Sequence, residues 1–399
     1  MTLPELTGSD RATRWRWAGT VPWRWIGVTA AAVLLAGAPF VLGEFRLDLL
    51  SKYLCLAIVA LGICLAWGRG GMLTLGQGVF FGLGGYAMGM YLKLHDAGHG
   101  GLPDFMVWSG VQSLPALWKP FANPVFALAM VVVLPVALAV PLGLLVFRQR
   151  VRGAYFAVLT QALAAAFVIL LVGQQGMTGG TNGLTNFSTA FGVNLYEPAT
   201  RRGLYWLVLA VLGMLFLASW LLVRSRFGKL LVAVRDGEDR VRFLGYDPAV
   251  VKTVVFALAA AMAGIAGALF VPVVGNFSPS ILGVVPSIEM VIAVAIGGRY
   301  SLAGAVAGAL LVNYAKTTFS ELDPGSWLYL QGGLFIAVMV WAPRGLAGLL
   351  ADARDLLLRR LGRPPAAALP AGDPAVTDPT PVGSPAAAPP AMAIERSAP

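Results

Sequence analysis

RSRFGKLLVAVRDGEDRVRFLGYDPAVVK, residues 224–252, is the longest charged interruption between apolar segments of this chain. It is not composed like a flexible linker. KLLVAVR, residues 229–235, sets Leu230, Leu231, Val232 and Val234 between cationic ends, and Gly228 and Gly237 bracket it. That pattern predicts about two helical turns with punctuated ends. A second short amphipathic piece over 238–244 stops at Gly245. A loop that only joins two membrane spans needs to be polar and short. Exposed apolar residues on a basic loop predict a docking surface for another protein, so force from a partner is expected to enter a membrane protein here.

The flanking apolar segments set the class. Hydrophobic residues make up 58% of the chain and charged residues 12%, with a mean hydropathy of +0.75. These values exclude an ordinary soluble domain and predict an all-α, polytopic transmembrane helical bundle. A net charge of +10 would point to nucleic acid in a soluble chain. Here Lys and Arg crowd the loops of one side, so no nucleic-acid partner is expected. Cys55 and Cys64 fall in one apolar segment and read as small packing residues.

Outward from the basic loop, apolar runs alternate with polar connections. Upstream lie runs over 204–223, 153–172 and 124–147, separated by a Gly- and Asn-rich loop (173–202) and by the basic RQRVR of 148–152. Before them come a polar loop over 94–123, a glycine-dense segment from GRGGMLT at Gly68 to Lys93, and runs over 48–67 and 26–42. The run at 26–42 is long for a signal-peptide core, where roughly 7–15 residues are usual, and reads as the first span. Residues 1–23 form a basic cytoplasmic segment; Arg11, Arg14, Arg16 and Arg24 among Trp15, Trp17, Trp23 and Trp25 place it at the inner membrane interface. Downstream are runs over 253–274, 286–296, 301–319 and 327–341. The transmembrane domain is therefore read as 24–350, and the Pro- and Ala-rich 364–399 as a disordered tail.

Charge placement orients these spans. Arg69, 148–152, 224–252, Arg299 and the C-terminal Arg344, Arg354, Arg359 and Arg360 fall on one side. The other side carries Lys119, Arg201 and Arg202 against Asp96, Asp104, Glu197, Glu321 and Asp323. The bias predicts about ten spans with both termini cytoplasmic. The runs at 286–296 and 327–341 are shorter than the ~20 residues of a spanning helix, so they are expected to extend into their flanks or form half-helices.

GGMLTLGQGVF from Gly70 and GGRYSLAGAVA from Gly297 share a Gly-Gly pair, a hydroxyl residue (Thr74, Ser301) and then Leu75 or Leu302. Both lie between an inward and an outward span. This predicts a parallel internal repeat with the solute path between the halves; the alternative is that small residues recur wherever membrane helices pack closely.

The chain has no Walker loop, His-Glu zinc cluster or G-x-S-x-G elbow, so no catalytic residues, metal ligands or cofactor are expected on it. His95 and His99 in a Gly-rich loop make a poor metal site. Candidates for a solute path are Thr74, Gln77, Thr160, Gln161, Glu289 and Asn313, with Tyr314 beside the last. A carboxylate within a span must face protein or water, and Glu289 reads either as functional or as an outer-interface partner of Lys316. The neutral groups read either as path lining or as hydrogen bonds between packed helices.

Several stretches resemble the permease subunits of branched-chain amino acid type (LivM-type) ABC importers, and within them the urea-importing, UrtC-like branch. They are RGAYFAVLTQAL (152–163), GQQGMTGGTNGLTNF (173–187), AVRDGEDRVRFLGYD (233–247) and SPSILGVVPSIEMVIAVAIGGRYSLAGAVAGALLVNYAKT (278–317). The resemblance covers roughly 49–350 and implies a multi-pass protein of the bacterial inner membrane. It implies a homologous second permease subunit, two cytoplasmic ABC ATPase subunits and a periplasmic solute-binding protein as partners. It also makes 224–252 the ATPase-coupling loop, with Gly228, Ala233, Arg235, Asp236, Glu238 and Gly245 as docking residues.

Urea, neutral with two amide donors and one carbonyl acceptor, suits Gln, Asn, Thr and Tyr without a fixed charge, so urea or a short-chain amide is the expected solute. A zwitterionic amino acid would want a cation and a carboxylate, and Glu289 supplies only one. The alternatives are a branched-chain amino acid permease, a stand-alone secondary transporter, which needs more ionisable residues within the spans, and a urea channel, which needs no docking loop.

Overall fold

The computed structural model describes residues 23–98, 100–151, 153–322, 327–341 and 345–349. The basic segment before Trp23, His99, Arg152, Asp323, Arg344 and the Pro/Ala tail lie outside the described residues.

Each apolar run read as a span is helical where described. α1 (Trp23–Val41) and α2 (Glu44–Ile63) precede a π-helical segment, Cys64–Arg69, and α3 (Gln77–Asp96) begins only after a non-helical turn over 70–76. The next loop holds α4 (Asp104–Trp108), followed by α5 (Pro124–Arg148) and α6 (Ala154–Gly173). The connection to α8 (Pro198–Arg224) carries α7 (Gln175–Thr178) and the strands β1 (Leu184–Thr185), β2 (Thr189–Ala190) and β3 (Val193–Asn194). α9 (Arg226–Asp236) and α10 (Glu238–Phe243) make up the basic loop. α11 (Pro248–Val274) then leads through β4 (Asn276–Phe277) to α12 (Val284–Gly297), α13 (Leu302–Leu322) and α14 (Trp327–Trp341). Among the described residues, Glu44–Arg69, Pro124–Arg148, Ala154–Gly173, Pro198–Arg224 and Pro248–Val274 are long and apolar enough to cross a membrane; Gly27–Val41 and Val284–Gly297 are shorter apolar helices.

The helix starts follow from local chemistry. Asn123 and Asp247 each accept the backbone N–H two residues on (Val125 and Ala249, both 2.9 Å) and are followed by Pro124 and Pro248. A side-chain acceptor at the cap and a proline at the first helical position satisfy or remove N–H groups that a helix start leaves bare. Ser225 does the same for Gly228 (3.2 Å), so α9 begins about a turn before the cationic Lys229. Gly275, at φ 75°, ends α11 in the left-handed conformation.

α2 and α11 are buried along most of their length, whereas α5, α6 and α8 bury only a stripe each. α11 packs against α2, α3 and α5, and α12 against α13. Backbones meet directly in the centre: a Cβ on Gly84 of α3 would lie 2.1 Å from the Gly264 carbonyl oxygen of α11, and one on Gly267 would lie 1.9 Å from that of Phe81. Without a hydrophobic driving force between helices in lipid, such close approach supplies the packing that holds them together.

The strands depart from a purely helical reading. β1 pairs antiparallel with β4 (Leu184 opposite Phe277), and β2 with β3. The loop at 173–202 folds back because Gly179, Gly180, Gly183 and Asn186 take positive φ. It is pinned to the end of α3: Asp96 accepts N–H bonds from Ser188 (2.8 Å) and Thr189 (3.1 Å), and Lys93 donates to the Asn186 carbonyl (3.2 Å) while pairing with Asp104 (2.9 Å).

Candidate functional site

The basic loop is not a free arm. Gly228, Leu231 and Val234 recur along one face of α9 and are buried, so its apolar stripe lies against the bundle. The sequence reading expected that stripe on the outside. The exposed apolar surface instead follows α10, where Phe243 is 91% exposed, Leu244 76% and Tyr246 54%. A sliding pattern cannot tell which side an amphipathic helix of three turns will bury; the FLGY cluster before Asp247 was the available signal.

The six expected docking residues divide accordingly. Ala233, Asp236 and Gly245 are exposed. Gly228 sits against the end of α8, where a Cβ would lie 2.4 Å from the Val223 carbonyl oxygen. Glu238 forms an ion pair with Lys252 across the loop. Arg235 reaches inward: its Nη1 donates to the Gly68 carbonyl (2.9 Å), its guanidinium lies 5.6 Å from the Tyr300 ring, and its Nε meets Asp236 (2.8 Å). Gly71, at φ 70°, leaves room for the arginine stem, since a Cβ there would lie 2.8 Å from Arg235 Cγ.

Arg235 therefore joins two turns that are themselves in contact. Arg69 donates to the Tyr300 carbonyl (3.4 Å), Cys64 Sγ meets the Arg299 carbonyl (3.2 Å), and the Arg299 guanidinium lies 5.3 Å from the Trp67 ring. The wider π turn at Cys64–Arg69 brings Gly68 so near Arg299 that a Cβ would fall 1.7 Å from its carbonyl oxygen. π turns of this kind often mark functional positions. A cavity of about 310 Å³ opens beside this junction, lined by Gly70, Val151, Phe156 and residues 235–239.

The six candidate path residues fall into two places. Thr74, Gln77 and Thr160 gather where α3 begins, and all three are wholly buried. Thr160 Oγ1 accepts the Leu75 N–H (3.0 Å) and donates to the Ala157 carbonyl (2.9 Å). Ser287 of α12, missed by the sequence reading although it lies in VPSIEM, accepts the Gly78 N–H (3.1 Å). Thr74 Oγ1 and both polar atoms of the Gln77 amide have no hydrogen-bond partner among the described residues. Below them Phe80, Phe147, Phe156 and Phe256 form a ring cluster with centroids 5.0–6.3 Å apart.

Glu289 and Asn313 lie elsewhere, in a cavity of about 570 Å³ between α2, α11, α12, α13 and α14. Glu289 pairs there with Lys316 (2.5 Å), the interface contact that the sequence allowed, and Asn313 donates to the Ala309 carbonyl (2.7 Å). Gln161, half-buried, follows Thr160 by roughly 100° around α6 and joins neither group.

Known proteins place this arrangement. The family described as branched-chain amino acid transport system / permease component matches residues 45–340. The high-affinity branched-chain amino acid transport system permease protein LivM of Salmonella typhimurium is 28% identical over 341 residues, covering 79% of this chain and 73% of that protein. The LivM protein of Escherichia coli K12 is 28% identical over 343 residues, covering 80% and 74%. The xylose transport system permease protein XylH of Escherichia coli K12 is 31% identical over 142 residues, covering 34% and 35%. No solved structure matches the chain. Because the family match runs unbroken from α2 through the Arg235 junction to α14, this chain belongs to the family of branched-chain amino acid transport system permease components.

Proposed function

We propose that this chain is the membrane-spanning subunit of an ABC importer for branched-chain amino acids, moved by ATP hydrolysis on separate subunits docked at α9 and α10. The observation that carries the reading is the Arg235 junction, where one side chain of the docking loop holds the Gly68 carbonyl and the Tyr300 ring. A partner that shifts α9 moves both turns, and with them α2, α12 and α13. The exposed Phe243, Leu244 and Tyr246 supply the apolar contact such a partner needs. A homologous second permease subunit, two ATPases and a periplasmic binding protein complete the assembly, in an inner membrane crossed about ten times with both termini cytoplasmic. Alternation between outward- and inward-open states is rigid-body rocking of this chain against its partner.

The solute assignment follows the LivM relatives. Urea stands as a second reading, favoured by one observation: the buried, unpartnered Thr74 and Gln77 groups at the start of α3 are neutral, as an amide requires. The test is to purify the chain with what accompanies it from its native membrane and reconstitute the assembly with the neighbouring binding protein. ATP-dependent leucine uptake supports the first reading, and urea uptake without leucine uptake replaces it with the second. Solute movement by the isolated chain in liposomes overturns both.

A further inference from the structure

The cavity that holds Glu289 is built unlike a lipid crevice. Lys52 of α2 and Lys316 of α13 both line it, and Glu321 stands at its exposed rim. Glu289 is taken by Lys316 (2.5 Å), whereas the Lys52 ammonium lies 6.0 Å from the Phe270 ring centroid. A ring at that distance attracts a cation only weakly. Gln331 of α14 is 4% exposed, lines the same space and, among the described residues, leaves its Oε1 without a hydrogen-bond partner. Leu49, Leu56, Ile281, Met290 and Val312 give the wall an aliphatic face, and Tyr53, Asn276, Asn313, Thr317 and Ser320 also line the cavity. Its volume of about 570 Å³ falls in the ~300–1,000 Å³ range of sites that enclose small organic molecules.

We propose that this cavity binds a free amino acid with a branched apolar side chain. Lys52 receives the carboxylate, Gln331 Oε1 and Glu321 receive the ammonium, and the apolar wall takes the side chain. A cation, two acceptors and an aliphatic surface in one enclosure match a zwitterion with an apolar tail. A neutral amide leaves Lys52 unanswered, and an acyl chain leaves every polar group so. Lys52 lies 16 residues before Gly68 in the same run of α2 and its π extension, or about 24 Å at 1.5 Å per residue. The site is thus at the end of the bundle opposite the Arg235 junction, on helices that the junction holds.

The proposal rests on the permease reading and specifies its solute site, so the test separates the two. Purified full-length chain in detergent is titrated with radiolabelled L-leucine, with leucinamide and 4-methylpentanoate as competitors lacking one charge each. Saturable leucine binding is expected, with both competitors weaker. Loss of a desolvated charge partner should weaken leucine binding in Lys52→Gln by about tenfold or more. Lys52→Arg, which keeps the charge, should bind within a few-fold of the wild type and shows whether the site still folds. Competition by leucinamide equal to that of leucine overturns the proposal, as does unchanged binding in Lys52→Gln or no saturable binding by the wild type. Tightly held anionic phospholipid that leucine does not displace also overturns it, making the cavity a lipid site. If the assembled importer carries leucine and Lys52→Gln neither binds nor carries it less well, only the cavity assignment falls. Urea uptake without leucine uptake, together with no leucine binding by the isolated chain, removes both.

Discussion

The turns at Gly70–Thr74 and Gly297–Ser301 share a sequence pattern and part ways in structure. Each has a positive φ at its second glycine, 70° at Gly71 and 114° at Gly298. After Gly298 the hydroxyl is used at once: Ser301 Oγ accepts the Gly304 N–H (3.1 Å), and α13 starts at the next residue. After Gly71 the chain stays non-helical through Gly76, α3 starts at Gln77, and Thr74 Oγ1 is buried without a partner. One copy closes its own helix start with its own side chain. The other borrows Thr160 and Ser287 from neighbouring helices and leaves Thr74 and Gln77 unmet. Buried polar groups without partners are costly, and a chain retains them where something else visits. The first turn is therefore the one expected to meet solute, and the second the one expected to carry load.

The comparison breaks most directly at the contact between the turns. Gly68→Ala places a Cβ 1.7 Å from the Arg299 carbonyl oxygen, a clash between backbones that no rotamer relieves. It should cost about 1–3 kcal/mol or more, read as a lower melting temperature in detergent or loss of inserted protein; an unchanged melting curve would mean that the turns do not touch. Next in size is Arg235→Ala. A charged donor to a carbonyl contributes about 1.5–3 kcal/mol, so losing the Gly68 bond should lower uptake by about tenfold while the ATPase subunits keep hydrolysing. Arg235→Lys should recover only part, because an ammonium cannot bond Gly68 and lie over Tyr300 as a planar guanidinium does. Uptake and hydrolysis falling in step would instead make Arg235 a docking residue alone.

The helices were legible and their contacts were not. Runs of apolar residues mark spans because lipid tolerates little else, and α1, α2, α3, α5, α6, α8 and α11 to α14 lie where those runs are. The short helices of the basic loop were also readable, since Gly228, Gly237 and Gly245 punctuate them. Which face of α9 is buried was not, because Leu231 and Val234 have the same local pattern whether they meet the bundle or a partner. The β1–β4 pairing joins Leu184 to Phe277, and no local rule reports a contact between residues so distant in sequence. Ser287 and Lys52 were passed over for a related reason. A hydroxyl in a short apolar helix and a lysine near the start of a span both read as ordinary until Gly78 and the cavity are set beside them. The candidate path list mixed two places because sequence ranks residues by chemistry, and only packing separates the α3 start from the Glu289 cavity.

The smallest effects sharpen the comparison best, because their signs differ. Ser301→Ala removes a cap and should destabilise the protein by about 1 kcal/mol, with uptake per folded molecule little changed. Thr74→Val removes a hydroxyl that has no hydrogen-bond partner among the described residues, at nearly constant volume. If Thr74 matters only for packing, the cost of its buried, unbonded oxygen disappears and stability rises, by up to about 1 kcal/mol. If the hydroxyl meets solute in passage, the same variant melts higher and carries less. The two turns then give opposite pairs of outcomes from one conservative change each, measured as melting temperature and initial uptake rate. A Thr74→Val protein that melts lower would show that a water or a neighbour bonds Thr74 as firmly as Gly304 bonds Ser301, and the two turns would be equivalent after all.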